Sequence, residues 1–238
     1  MNHLPHFLSI TACFLAACGL AVAQNGFPWQ NESLRYSMNW QSGLSVGDGS
    51  LTAHKTESGW NFEATVNAGV PGFAVNDTIH SSSTQSLCST QLDREFNHAN
   101  KKTHERTTFD QKAGSAERTT LFPDGGAKPG KSTFDIPSCA RDALTFLYYA
   151  RVELGQGRMV PPQRVFFGSG YDVKMDYTGA QNIPVDKKPT VTDHLVVSVK
   201  GPKSDFHFEV FYARDAARTP LQIKIPLSMG TFTLDLVR

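Results

Sequence analysis

The chain has 238 residues, with 23 Lys or Arg against 22 Asp or Glu and a formal net charge of +1 at pH 7. So even a balance argues against a dedicated nucleic-acid binder, which would carry a basic excess or stripe. The one basic cluster, Lys101, Lys102, His104 and Arg106, reads as a solvated strand face.

Residues 1–23 contain no charged side chain, and a largely apolar run over 7–20 leads to Ala21-Val22-Ala23 before Gln24. This is the layout of a cleaved secretory signal, and the run falls short of the roughly 20 apolar residues a membrane span needs. A second reading stays open. Leu15-Ala16-Ala17-Cys18 resembles the lipobox of bacterial lipoproteins, in which Cys18 would be lipidated, although the residues after it stay apolar where a polar tether is expected. Either route places the protein outside the cytoplasm, in the periplasm or at the outer-membrane periphery of a Gram-negative-type bacterium. Signal cleavage leaves 24–238 as a single β-rich domain without a transmembrane span. Two cysteines then remain, Cys88 and Cys139. In an oxidising compartment a lone pair is most simply a disulfide; two separate buried thiols are the alternative, and an α-carbon separation below about 7 Å would decide it.

Along the mature chain the dominant pattern is apolar–polar alternation, the period of a strand with one buried face. Leu34, Tyr36, Met38 and Trp40 give a first strand. Residues 43–49 form a glycine-rich reversal, and 50–55 carry the return strand. Trp60, Phe62, Ala64 and Val66 alternate again, 69–72 break that strand, and 75–83 resume the sheet. Residues 89–98 and 101–109 read as two long polar strands, 115–122 continue the meander, and 123–131 are a loop. One helix is predicted over 142–152, with Leu144, Leu147, Tyr148 and Arg151 at helical spacing and Asp142 or Ser138 as its cap. Strands follow over 163–167, 171–177 and 191–200. From 205 to 237 almost every second residue is apolar, including Phe206, Phe208, Val210 and Tyr212. The predicted fold is mainly β: a strongly curved antiparallel sheet, half-barrel or open barrel, with one amphipathic helix packed on it.

Three motifs that resemble chemistry fail on context. Residues 125–132 fit the phosphate-loop pattern G-x-x-x-x-G-K-S, yet they lead into an extended stretch and Pro137 rather than a helix. Gly43-Leu44-Ser45-Val46-Gly47 fits the nucleophile-elbow pattern, but no helix follows the serine; Asp193 and His194, the conceivable partners, sit in an alternating strand. The histidines show no metal-ligand spacing. No cofactor, metal or catalytic group is therefore expected, and a hydrolase is the least supported reading.

Three stretches carry a family resemblance. The segment from Glu32 to Trp40 with Gly43 and Gly47, the segment from Arg141 to Arg151, and the segment from Phe211 to Leu221 with Gly230 resemble domain of unknown function 3108, a family of exported bacterial proteins. The resemblance implies an envelope protein and supplies no catalytic residues; the Cys88 and Cys139 pair lies outside its general pattern. In the late turn, Asp215 is expected to accept from backbone N–H groups, Arg218 to pair with Asp215, and Pro220 to fix the chain entering the last hairpin. A similar turn occurs in the half-barrels of periplasmic lipoprotein carriers, a likeness at the level of fold.

The expected function is a non-catalytic module that binds a lipid or other hydrophobic small molecule on the concave sheet face, lined by Tyr36, Trp40, Trp60, Phe62, Phe206 and Phe208. The alternative is a structural or assembly protein with a filled core and an envelope protein partner.

Overall fold

Alternating apolar residues become one fifteen-stranded sheet. The structure, a computed structural model, describes residues 28, 30–70, 73–98, 101–122, 130–202, 204–227 and 230–237. The signal segment with Cys18, and most of the phosphate-loop-like stretch, lie outside the described residues.

Strands β1 (Asn31–Trp40), β2 (Ser45–Lys55), β3 (Gly59–Val70), β4 (Phe73–Thr84), β5 (Ser89–His98), β6 (Lys101–Asp110), β7 (Ser115–Phe122) and β8 (Lys131–Asp135) form an antiparallel meander. The chain then crosses through β9 (Arg141–Asp142) and helix α1 (Ala143–Gly155) to the opposite edge of the sheet. From there β10 (Gln163–Phe166), β11 (Gly170–Val185), β12 (Lys188–Lys200), β13 (Asp205–Ala213), β14 (Pro220–Leu227) and β15 (Gly230–Val237) meander back until β15 pairs with β1. Among the described residues only β9 and β10 pair in parallel. The helix is thus a crossover between the two edges, and the curved sheet wraps round it.

Two strand boundaries differ from the sequence reading. The second strand starts at Ser45, not at residue 50. Gly47 sits inside the ladder because a side chain there would collide with the Asn67 carbonyl on β3, so this glycine marks a close backbone approach rather than a turn. Strand β11 runs on past Tyr177 through a bulge at Gly179, and its pairing with β12 ends only at a tight turn where Asp186 and Lys187 have φ of 49° and 63°. A bulge bends a strand without ending it. This extended hairpin carries Ile183 and Val185 back over the outer face of the sheet, where they pack with Phe211 and Leu221.

The two edge strands, β8 and β9, do not pair, but the β9 edge packs against the start of β5. The Ser89 N–H donates to the Ala140 carbonyl at 2.9 Å. The Gln111 side chain donates to the carbonyls of Ser89 and Ala140 and accepts from the Ala140 N–H. A Cys88–Cys139 disulfide staples the same place, with α-carbons 4.6 Å apart. Beside it, Leu92, Phe109, Ala116, Ile136, Ala140 and Phe166 form a core cluster between the two edges. Arg94 and Arg118 donate to the carbonyls of Phe167 and Gly168 in the β10–β11 turn. The result is an open barrel closed by side chains.

Asp142 caps the helix, its Oδ1 accepting from the N–H groups of Leu144 and Thr145 at 2.9 and 3.1 Å. Its Oδ2 accepts from the hydroxyls of Ser81, Ser89 and Thr145, so one buried carboxylate ties the helix start to β4 and β5. Burial raises its carboxyl above the ordinary value, more than these donors lower it. The helix buries Leu144, Thr145, Phe146, Tyr148, Ala150 and Arg151. It is enclosed on several sides because sheet lies on both of its flanks.

Candidate functional site

The two flanks of α1 meet different surroundings. On one, Leu144 and Tyr148 pack with Ala53, Trp60, Phe62, Ala64 and Leu87. The Phe62 and Tyr148 rings stack with centroids 4.3 Å apart, and Trp60 and Phe62 are parallel at 6.2 Å. On the other flank, Phe146, Leu147 and Ala150 border a chamber of about 550 Å³. Its walls come from the inward residues of β10 to β15, among them Val165, Tyr171, Val173, Met175, Val197, Val199, Phe206, Phe208, Val210, Tyr212, Ile223, Ile225 and Leu234. Apart from the Tyr171 and Tyr212 hydroxyls and Ser204, no lining side chain among the described residues carries a polar group. The volume falls within the range of small-molecule sites.

The six expected lining residues divide between these places. Phe206 and Phe208 line the chamber, Phe206 at 42% exposure marking where it meets solvent. Trp60 and Phe62 belong to the packed flank. Trp40 packs edge-on against Phe232 at 4.5 Å and lies over Gly230, whose φ of 131° suits a residue without a side chain. Tyr36 is buried, and its hydroxyl donates to the Pro220 carbonyl at 2.9 Å. The chamber residues not singled out from the sequence are chiefly aliphatic: Val173, Met175, Val197, Val199 and Ile223. Their alternation was the available signal; attention to aromatics passed over it.

At the far end of the helix lies a buried ion pair. The Arg151 guanidinium donates to both Glu32 oxygens at 2.7 Å and, through Nε, to the carbonyls of Ala217 and Arg218. Its side chain is 0% exposed. Burial works against the charge on Arg151, and bonding to Glu32 overrides this, holding its pKa above the ordinary value. The three stretches of the family resemblance meet here, since Glu32, Arg151 and the Ala217–Arg218 carbonyls come one from each. Tyr36, Tyr148 and Tyr212 surround the pair, and burial raises all three phenols, Tyr212 from 10.0 to about 12.

The late turn is built differently from expectation in one respect. Asp215 accepts from the Thr219 N–H at 3.0 Å and from its hydroxyl at 2.8 Å. Arg218 instead pairs with Asp193 at 2.5 Å, beside Arg214 at 2.8 Å on the same carboxylate. A φ of 47° at Arg218 turns its side chain out of the hairpin line, toward β12. Pro220 is buried and receives the Tyr36 hydroxyl.

The rejected motifs keep strand geometry. Ser45 opens β2, residues from Lys131 form β8, and His194 faces outward, stacked on Phe211 at 4.4 Å. Among the described residues no group of three or more His, Cys, Asp or Glu is placed to hold a metal ion, and no helix is long and apolar enough to cross a membrane.

No curated protein matches the chain. A family model, described as a protein of unknown function (DUF3108), matches residues 35–237, nearly the whole fold. The chain therefore belongs to the DUF3108 family of proteins of unknown function.

Proposed function

We propose that this protein is an exported, non-catalytic component of the bacterial envelope that holds a lipid or other hydrophobic small molecule in the chamber between α1 and strands β10 to β15. The carrying observation is the chamber itself, about 550 Å³ of space walled by apolar side chains. A protein selected only for stability would gain by filling it, because empty apolar volume forfeits packing contacts. The same observation weighs against a purely structural role with a filled core. The Cys88–Cys139 staple suits an oxidising compartment.

Native mass spectrometry of protein purified from a bacterial envelope tests the reading. A one-to-one adduct of lipid or similar mass is expected, and it is lost in Met175→Trp and Val197→Phe variants that fill the chamber. An adduct-free wild-type protein that also fails to take up 1-anilinonaphthalene-8-sulfonate would sink the proposal.

A further inference from the structure

We infer that the chamber takes a long-chain carboxylate, with the hydrocarbon among the aliphatic walls and the acid head at Tyr212 and Arg218. The inference rests on the reading of the chamber as a ligand site and deepens it. Beside the chamber lies a second recess of about 240 Å³, and Tyr212 lines both. Tyr212 is 1% exposed, and its hydroxyl makes no hydrogen bond among the described residues. Arg218 lines the same recess, and its Nε is buried without a partner. The Arg218 Nε is thus a buried donor without an acceptor, a cost that a ligand acceptor would relieve, and the Tyr212 hydroxyl is a second donor not used by the described residues.

The charges favour an acid. Asp193, also on this recess, is shared by Arg214 and Arg218, so two guanidinium groups stand against one carboxylate. Arg158, a further lining residue, is held by Glu153 at 2.7 Å and adds no net charge. Met159 and Tyr177, at 43% and 50% exposure, form a rim open to solvent. An ionised head can sit there at the water boundary without full desolvation. A carboxylate presents two acceptor oxygens to the hydroxyl and the N–H together. An alcohol offers one neutral oxygen, a weaker acceptor than a carboxylate, and an alkane offers none.

Titration calorimetry with the mature chain compares hexadecanoate with hexadecan-1-ol. Hexadecanoate is expected to bind at least about tenfold more tightly. Tyr212→Phe, which keeps the ring, and Arg218→Lys should each remove most of that preference. Equal affinity for the two probes, or a preference untouched in Tyr212→Phe, overturns the acid-head assignment and leaves the apolar chamber standing. If neither probe binds, the chamber reading fails and this inference fails with it.

Discussion

On one side of α1 the rings of Trp60, Phe62 and Tyr148 stack on one another; on the other, Phe146, Phe208 and Met175 border about 550 Å³ of space. Both sides are built from inward residues of alternating strands, and both contain large aromatics. What separates them is where the crossover helix lies. It presses against β3 and β4, with Asp142 tying its first turn to β4 through Ser81, and the chamber lies between it and strands β11 to β15. Packing is therefore a property of the helix's position, not of the strand pattern.

The largest expected effect comes from freeing the helix end. Arg151→Met leaves Glu32 buried without its partner and should cost about 3–5 kcal/mol in denaturant unfolding, whereas the double replacement Arg151→Met with Glu32→Leu should recover much of it. If the single and double variants are equally unstable, the ion pair is not what holds the helix against the packed side.

Next is the Cys88–Cys139 staple between the start of β5 and the segment leading into β9. Cys88→Ala with Cys139→Ala, or reduction, should lower stability by about 2–4 kcal/mol for a separation of 51 residues. Protection of the β5 and β10 amides in hydrogen exchange should fall first, with β14 and β15 least affected.

A matched pair of substitutions compares the flanks directly. Ala53→Leu adds volume to the packed side and should destabilise by about 1–3 kcal/mol. Ala150→Leu points at the chamber and should be neutral or stabilise by about 0.5–2 kcal/mol. Thermal melts of the two variants that shift alike would erase the distinction between a filled and an open flank.

The smallest effect at neutral pH is electrostatic. The raised pKa values of Tyr36, Tyr148 and Tyr212 mean that the folded state holds these protons more tightly than the unfolded chain. Their contribution is complete below about pH 10 and is lost as pH rises through the folded values, about 12 for Tyr212. Absorbance titration should show these three of the six tyrosines ionising late, with alkaline unfolding. Ionisation of all six near pH 10 in a folded protein would contradict their burial.

Much of the fold was legible because strand alternation and helix caps are local. The pairs 89–98 with 101–109, the strand 115–122, and Asp142 as cap needed only neighbouring residues. Errors arose where a local signal had a distant cause. Gly47 looks like a turn until β3 lies beside it, and Gly179 looks like a strand end until β12 continues the ladder. Arg218 stands three residues from Asp215 in sequence, but the fold brings Asp193 to it.

By itself, then, the sequence determined a mainly β chain with one capped helix and rows of apolar residues on alternating strands, and it offered Cys88 and Cys139 as a disulfide pair. These follow from backbone periodicity, side-chain chemistry and composition. Only tertiary structure decided which rows are filled and which face an open chamber, that the β9 edge meets the start of β5 at Cys88–Cys139, and that Glu32, Arg151 and the late turn converge. Those outcomes depend on how far the sheet curls round the helix, a sum of bulges, twists and distant contacts that no single segment encodes.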